Sequence, residues 1–460
     1  MPSAFDRLSE EMGRAELGDK RLSKRLAAVV DALAAHPGES LPKALVTSAA
    51  LEATYRFMSN EEVTPDGILA SHTEATCERA QEAGTVLAIH DTTECQFEGS
   101  AREGLGRLSS GRQGFFAHVA FGVDAVGGRP LGILGLSTLV RSEEPPGRKR
   151  RATYAHKRRV VKESDRWGDL VSHVEAVVNQ RAKVIHVMDR EGDQYLVFAQ
   201  IVDRKSHCVI RAMHPERRLQ DGRSLEQAAD GAPLRLVREV ALSARRPKAG
   251  IAGQPARNAR TVQLLASATT VVVKRSWAIP AVELPTLTLN VVRVWEPEPP
   301  DDEQPVEWLL LTTLPIASAE EVAFIVDTYR RRWLIEELFK ALKTGCQYEK
   351  LQLESKDALA NALATLLPVA WRILLLRHLA HVAGGSPATD ALTEMQLDVL
   401  RAASPSPMPS RPTVRDALLA VARLGGHIKN NGEPGWLVLY RGFRDLLILE
   451  RGWRARCDQS

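Results

Sequence analysis

Apolar positions along this 460-residue chain change their spacing twice, and each change predicts a different kind of structure. Up to about residue 70 the spacing is helical, with apolar runs at 28–35 and 51–58. From about 71, short apolar runs alternate with helical stretches, which is typical of an α/β domain. The runs that predict strands are Thr85–His90, His118–Val123, Pro130–Val140, Lys183–Met188 and Cys208–Arg211.

A β-rich insertion is predicted over about 216–312. Its runs are rich in β-branched residues and are separated by prolines and charges: Thr261–Arg275, Leu287–Trp295 and Trp308–Thr312. After about residue 385 come a Pro/Ser linker and a helical tail. We therefore predict three domains: an N-terminal helical domain (1–70), an α/β domain (71–385) that contains the insertion, and a C-terminal helical domain (386–460).

One long helix is predicted over 319–344. Ser318 and Glu321 have the spacing of a capping box, and Gly345 is a C-terminal stop. At about 100° per residue, one arc of roughly 60° carries a tyrosine, an arginine, a glutamate and a lysine, with Lys340 at its edge. These four are Tyr329, Arg332, Glu336 and Lys343. A carboxylate among cations suits a divalent metal beside a phosphodiester, although a solvated charged stripe has the same pattern.

Composition narrows the class of protein. Hydrophobic content of 44% and charged content of 26% are typical of a globular chain. Basic residues cluster at Arg148–Lys162 and Arg245–Arg260, as candidate phosphate contacts or solvated loops. The five cysteines are scattered and none has zinc-ligand spacing, which favours a reduced cytoplasmic protein. The apolar run Leu359–Ala380 is interrupted by polar residues and proline, so we expect a buried helix and no membrane span.

Two aspartates directly follow predicted strands. Asp91 ends the first run and Asp189 ends the fourth, where α/β sheets place ligand-binding side chains. Glu336 can reach the same edge from the long helix. Three such carboxylates can hold two divalent ions for in-line phosphoryl transfer, and oxygen ligands favour Mg²⁺ or Mn²⁺ over zinc. Either aspartate alone is more often a turn residue, and Glu191 and Asp193 compete with Asp189.

Taken in order, these motifs resemble a known family. Tyr329-x2-Arg332-x3-Glu336-x6-Lys343 is similar to the Tyr-Arg-Glu-Lys signature of bacterial insertion-sequence DDE transposases of the cut-and-paste group. The runs 90–93 and 187–193 resemble that family's two aspartate motifs. The likeness extends to 18–25 and 55–58 in the N-terminal region, and to 308–312 at the end of the insertion.

The resemblance implies a fold and an activity. We expect a ribonuclease-H-like core with a β-rich insertion, flanked by a helical DNA-binding domain and a C-terminal helical dimerisation domain. The implied activity is two-metal DNA cleavage through a hairpin intermediate, with Mg²⁺ as cofactor and Mn²⁺ as a substitute. Expected partners are terminal inverted repeats, target DNA and a second copy of the chain, in the bacterial cytoplasm at the nucleoid.

Individual roles also come from the resemblance. Asp91, Asp189 and Glu336 would hold the metal. Trp308 would stack on a flipped base, and a core or edge-strand tryptophan is the less favoured alternative. The remaining residues would contact DNA phosphates or the terminal repeat; they are Tyr329, Arg332, Lys343, Arg211, Arg21, Lys24 and Arg25. A decayed or domesticated transposase that only binds DNA is the main alternative, and a two-metal nuclease or resolvase without strand transfer is another.

Overall fold

The computed structural model describes most of the chain. The described residues are 8–36, 38–45, 47–141, 164–242, 258–277, 279, 283–300, 303, 305–404, 406–428 and 433–457. The basic cluster Arg148–Lys162 lies outside them, as do four members of the second cluster. The described member of that second cluster, Arg260, is engaged within the protein by Glu296 and by Glu303, whose Oε2 lies 2.8 Å from Arg260 Nε.

The N-terminal region is helical, as predicted. Asp19, Thr47 and Thr64 each cap a helix by accepting a backbone N–H with the side chain, so short polar residues fix where these helices begin. The helices are α1 (Leu8–Met12), α2 (Lys20–Ala35), α3 (Leu41–Ala44), α4 (Ser48–Met58) and α5 (Pro65–Ala83).

Within the described residues, one ten-stranded mixed sheet forms the centre of the fold. Its strand order is β2-β3-β1-β5-β6-β10-β9-β8-β7, and β4 pairs with β3. The strands are β1 (Thr85–Phe97), β2 (Gly106–Arg107), β3 (Gln113–Asp124), β4 (Pro130–Leu139), β5 (Lys183–Met188), β6 (His207–Arg211), β7 (Leu234–Leu242), β8 (Arg260–Lys274), β9 (Thr286–Trp295) and β10 (Glu307–Thr312).

Both faces of strand β1 are buried. Val86 and Ala88 belong to one buried cluster, whereas Leu87 and Ile89 belong to another on the opposite face, as the twofold period of a strand requires. Helices therefore cover the sheet on both sides. One side carries α6 (Asp165–Val178), α7 (Tyr195–Asp203) and α8 (Leu225–Asp230), in addition to α5.

The predicted insertion continues the central sheet. Strand β10 pairs antiparallel with β6, with Leu310 opposite Arg211, and β9, β8 and β7 follow outward. The return strand β10 thereby brings Trp308 to the edge of the sheet at which β6 ends. The insertion therefore contributes Trp308 to the same edge of the sheet as the residues that follow the parallel strands β5 and β6.

The prediction of one continuous helix over 319–344 is wrong in its middle and at its end. The capping box at Ser318 and Glu321 is present, and α9 (Ala319–Arg331) begins there. The helix is interrupted at Arg332, and α10 (Trp333–Lys340) follows it. A wide π-helical turn, Ala341–Gly345, then ends the segment. A π turn holds more residues than an α turn, so it changes the direction in which later side chains point.

Helix α11 (Lys356–Val382) is the buried helix that the sequence predicted. By length and composition it could cross a membrane, but its most apolar window is wholly buried inside the protein. The helices that follow it are α12 (Glu394–Ala403), α13 (Val414–Leu424) and α14 (Trp436–Cys457). Side chains of α13 and α14 belong to the same buried cluster as those of α2 and α11, so the two ends of the chain share one core.

Candidate active site at the sheet edge

The two predicted aspartates lie side by side on neighbouring parallel strands. Ile89 of β1 pairs with Val187 of β5, so Asp91 and Asp189, each two residues further on, are level with one another. Asp189 directly follows β5 and begins a single 3₁₀ turn. Asp91 does not end its strand, because β1 continues to Phe97 by pairing with β3. It does follow the last pair of the parallel ladder.

The guanidinium of Arg332 joins Asp91 to Glu336. Arg332 Nη1 lies 2.8 Å from Asp91 Oδ2, and Arg332 Nη2 lies 3.4 Å from Glu336 Oε1. Arg332 occupies the break between α9 and α10, and only 14% of its side chain is exposed. The break in the helix thus faces the edge of the sheet at which the aspartates lie.

Negative charge is crowded in this pocket. Burial raises the pKa of Asp91 to about 7; Arg332 opposes the rise, and the nearby charges of Asp189 and Glu336 add to it. Burial would lower the pKa of Arg332, but Asp91, Tyr329 and the two other carboxylates together outweigh that effect and raise it. Asp189 and Glu336 are therefore each within electrostatic range of Asp91, and Arg332 is the cation that feels all three carboxylates.

The chemistry of this donor set fits a hard divalent cation. Carboxylate oxygens are the ligands that Mg²⁺ and Mn²⁺ prefer, and an additional positive charge would relieve the repulsion on Asp91. Among the residues that the structure describes, no three His, Cys, Asp or Glu side chains already form a group that could hold a metal ion. Arg332 supplies the positive charge between Asp91 and Glu336 in this arrangement.

Three further predicted residues gather beside the carboxylates. Trp308 and Tyr329 meet edge to face, with ring centroids 5.5 Å apart. Arg211 ends β6 and its Nη2 donates to the carbonyl of Glu307, 3.1 Å away. Burial raises the pKa of Tyr329, while the positive charges of Arg332 and Arg211 oppose this rise. Tyr329, Arg211 and Trp308 therefore form a mixed aromatic and basic group next to Arg332.

Lys343 is turned away from that group. Its Nζ donates to the carbonyl of Glu94 at 2.5 Å and lies 3.2 Å from Glu349 Oε1. Glu94 belongs to β1, three residues beyond Asp91. The π turn at Ala341–Gly345 explains why Lys343 does not keep the phase that a regular helix would give it.

The predicted N-terminal contacts lie on helix α2. Arg21 has 90% of its side chain exposed and pairs with Asp19, which also caps the helix. Lys24 is exposed and Arg25 is half-buried, whereas Leu26, Val29 and Val30 form the buried face. These three basic residues thus lie on the exposed side or at the margin of α2.

The acidic residues that compete for the site are each paired with a basic side chain other than Arg332. Asp193 is buried; it pairs with Arg217 at 2.6 Å and accepts the N–H of Met213 at 2.7 Å. Glu191 pairs with Arg166 at 2.6 Å. Glu337, next to Glu336, pairs with Lys340 and Arg377.

A largely buried chain of polar side chains reaches His90, the residue before Asp91, and the sequence does not predict it. Glu175 Oε1 lies 2.9 Å from His186 Nε2, and His186 Nδ1 lies 2.9 Å from His90 Nε2. Burial holds the pKa of His90 far below its usual value and lowers that of His118 to about 3, so both rings are neutral. His118 Nδ1 is 2.9 Å from the hydroxyl of Thr92.

Nothing in the sequence signals this chain of contacts, because its members are scattered over β1, β3, β5 and α6. Arg166, which reaches both Thr92 and Glu191, was missed for the same reason. A single histidine or arginine in such a stretch is indistinguishable from an ordinary surface or core residue.

Two family models match the chain. Residues 6–63 match a model described as transposase DNA-binding, and residues 148–371 match one described as a transposase DDE domain. The chain therefore contains a transposase DNA-binding domain and a transposase DDE domain. These matches support a DDE transposase with DNA as its partner.

The two matches divide the candidate residues. Arg21, Lys24 and Arg25 lie within the transposase DNA-binding domain. Asp189 and Glu336 lie within the transposase DDE domain, as do Arg211, Trp308, Tyr329, Arg332 and Lys343. Asp91 lies in neither match. Its association with the site rests on the strand register and on its contact with Arg332.

Proposed function

We propose that this chain is a cut-and-paste DNA transposase with Asp91, Asp189 and Glu336 as its catalytic carboxylates. The observation that carries the proposal is the Arg332 bridge. It joins Asp91, from outside the DDE match, to Glu336 inside it, at the sheet edge where Asp189 follows the neighbouring strand. The order β4-β3-β1-β5-β6, with β1, β5 and β6 parallel, supports a ribonuclease-H-like core.

The three carboxylates would hold Mg²⁺, with Mn²⁺ as a substitute. Bound ions of this kind activate an attacking water or 3′-hydroxyl and stabilise the leaving oxygen of an in-line displacement. The protein's own contribution is to fix the carboxylates. Asp91 Oδ1 accepts the N–H of Thr92 at 2.8 Å, and Asp189 Oδ1 accepts the N–H of Glu191 at 2.9 Å.

DNA would lie along the basic and aromatic group beside the carboxylates. Arg332, Arg211 and Tyr329 offer donors to phosphate oxygens there, and Lys343 extends the positive charge along β1. Trp308 is half-buried and lies against Tyr329, so it can present a π-face to an extruded base. This is the basis for proposing that cleavage proceeds through a hairpin.

Binding of the terminal inverted repeat is assigned to the N-terminal domain. The exposed side of α2 carries Arg21 and Lys24, with Arg25 at its margin, while its opposite side is buried in the core. We assign residues 1–70 to DNA binding, 71–385 to catalysis and 386–460 to dimerisation. The proposed assembly is a dimer on paired element ends that captures target DNA, in the bacterial cytoplasm at the nucleoid.

The alternative is a decayed or domesticated transposase that binds DNA without cutting it. The three carboxylates and Arg332 favour the enzyme, because loss of function would remove the requirement for charged groups to be crowded in a buried pocket. A nuclease or resolvase without strand transfer is a third reading. The position of Trp308 beside Tyr329 favours hairpin chemistry over simple cleavage.

The deciding experiment is cleavage of a labelled duplex made from the DNA that flanks the gene, with Mg²⁺ or Mn²⁺. We expect metal-dependent nicking and a hairpin product from the wild type. Glu336→Ala and Asp189→Ala should lose at least about a thousandfold in rate, or roughly 4 kcal/mol of activation free energy, while still binding DNA. Glu337→Ala is the matched control, because it removes a neighbouring carboxylate that is paired outside the pocket.

Two results would count against the proposal. Tight binding without any cut by the wild type would support the domesticated DNA-binding protein. Full cleavage by Glu336→Ala would remove Glu336 from the site. For the hairpin step, Trp308→Ala should slow hairpin formation more than the first nick, whereas Trp333→Ala, at an exposed tryptophan on α10, should affect neither step.

A further inference from the structure

Each of the two aspartates is oriented by one backbone amide. The N–H of Thr92 donates to Asp91 Oδ1 at 2.8 Å, and the N–H of Glu191 donates to Asp189 Oδ1 at 2.9 Å. For Asp91, this leaves Oδ2 on the side of Arg332. The positions of Thr92 and Glu191 therefore set the direction in which each carboxylate points.

One arginine contacts the side chains of those same two residues. Arg166 Nη2 lies 2.6 Å from Glu191 Oε2, and Arg166 Nε donates to the hydroxyl of Thr92 at 3.3 Å. Arg166 comes from the first turn of α6, an element that carries neither aspartate. A single guanidinium thus connects the residue that follows Asp91 to the turn that follows Asp189.

The packing around Arg166 fixes its position. Only 11% of its side chain is exposed, and its guanidinium carbon lies 5.7 Å from the ring centroid of Trp167. Trp167 is fully buried and meets the ring of His118 edge to face, with centroids 4.4 Å apart. The hydroxyl of Thr92 accepts from Arg166 and can donate to His118 Nδ1, 2.9 Å away, so its proton is also directed.

We propose that Arg166 is a positioning residue that clamps Asp91 and Asp189 into a fixed relation through Thr92 and Glu191. The proposal rests on the proposed function, since it assumes that the two aspartates act together. A planar fork with several N–H donors suits this task, because it can hold two partners at a set angle. Outer partners of this kind typically change metal affinity or activity by about 10–100-fold when they are removed.

The test compares Arg166→Gln, Arg166→Lys and Glu191→Gln with wild type in the full chain. Arg181→Gln is the matched control, since it removes an Arg–Glu pair near the other end of β5, where Arg181 contacts Glu74. Three quantities are measured: the Kd for flanking-DNA duplex in EDTA, the single-turnover cleavage rate at saturating DNA, and Mn²⁺ binding to the protein–DNA complex by calorimetry. Thermal unfolding establishes that each variant is folded.

We expect Arg166→Gln to cut about 10–100-fold more slowly and to bind Mn²⁺ about tenfold more weakly, with DNA Kd within about twofold of wild type. Arg166→Lys should be intermediate, because an ammonium keeps the charge but not the fork. Glu191→Gln should show a smaller loss that disappears in the Arg166→Gln background. Arg181→Gln should match wild type.

Unchanged cleavage and Mn²⁺ binding in a folded Arg166→Gln, with Asp189→Ala inactive, would overturn the clamp and leave the proposed function standing. A weaker DNA Kd with a shallower salt dependence and unchanged Mn²⁺ binding would also overturn it, since Arg166 would then be a phosphate contact. Normal cleavage by Asp189→Ala would remove the proposed function and the clamp together.

Discussion

Glu11 and Asp91 are both largely buried and both pair with an arginine, yet their pKa values shift in opposite directions. Glu11 of α1 lies 2.9 Å from Arg79 of α5 through Oε2 and 2.5 Å from His72 through Oε1. Burial opposes ionisation there, yet these partners lower the pKa of Glu11 to about 2. Asp91 has an arginine at 2.8 Å, but its pKa is raised to about 7.

Burial raises the pKa of both carboxyl groups, so the difference between them lies in the partners that oppose it and in how many carboxylates share each arginine. Both oxygens of Glu11 have their own donor, so the ionised form is fully satisfied. Asp91 shares Arg332 with Glu336 and is also repelled by Asp189. The ion pair of Glu11 with Arg79 holds α1 against α5. In contrast, three carboxylates share the one guanidinium of Arg332 in the pocket that we propose as the active site.

The largest expected effect on stability is at the ion pair of Glu11 with Arg79. Glu11→Gln should lower the free energy of unfolding at pH 7 by about 1–2 kcal/mol, because the folded pKa lies below the unfolded value and, with His72 neutral at this pH, Arg79 supplies the positive charge. That contribution is fully present above about pH 4.5 and is lost as the pH falls through about 2. Wild type and variant should therefore converge in acid, as measured by chemical denaturation across pH.

Glu61→Gln provides the control for this prediction. Glu61 is exposed, so its substitution should change stability by less than about 0.5 kcal/mol at any of these pH values. If the Glu11→Gln protein were as stable as wild type at pH 7, the ion pair of Glu11 would not stabilise the fold and the comparison with Asp91 would fail.

A smaller effect of opposite sign is expected in the crowded pocket. Asp91→Asn should raise the free energy of unfolding in metal-free buffer by about 1 kcal/mol, because it removes a buried charge that two carboxylates repel. The same variant should lose DNA cleavage. Chemical denaturation and a cleavage assay on the same preparation check both points. If Asp91→Asn lost as much stability as Glu11→Gln, the Asp91–Arg332 ion pair would be stabilising in the same way as the Glu11–Arg79 pair.

The smallest effect concerns DNA affinity. Arg332→Gln should weaken binding of the flanking-DNA duplex in EDTA by a fewfold and reduce the slope of log Kd against log salt by about one. Arg330→Gln removes the same charge two residues earlier, where Arg330 pairs with Asp327, and should leave the slope near that of wild type. Equal slopes for wild type and Arg332→Gln would confine Arg332 to its carboxylates.

Much of this fold could be predicted from local pattern. Each predicted strand is present within a few residues, except that β1 and β3 are longer, and the capping box at Ser318 begins a helix. The placement of Asp91 and Asp189 at the same edge of the sheet was predicted from their positions directly after apolar runs. These features succeed because strand burial and helix capping depend on neighbouring residues.

The rest depends on contacts between distant residues. At the helix break, the side chain of Arg332 pairs with Asp91, which lies 241 positions away in the sequence. The direction of the Lys343 side chain depends on a π turn that no residue type specifies. The insertion joins the central sheet through the pairing of β10 with β6, which a list of strands does not reveal. Arg166 could not be predicted for the same reason, because its partners lie within β1 and in the turn that follows β5.

The guanidinium of Arg332 cannot use the same hydrogens for Asp91 and for a DNA phosphate. If DNA takes Arg332, two carboxylates lose their cation and the pocket attracts a metal ion more strongly. Thermodynamic reciprocity then requires that a metal ion in the pocket release Arg332 toward DNA by the same factor. On the proposed function, Arg332 thus makes the binding of DNA and of metal cooperative. The affinity of the carboxylates for a metal ion is then lowest when no DNA is bound.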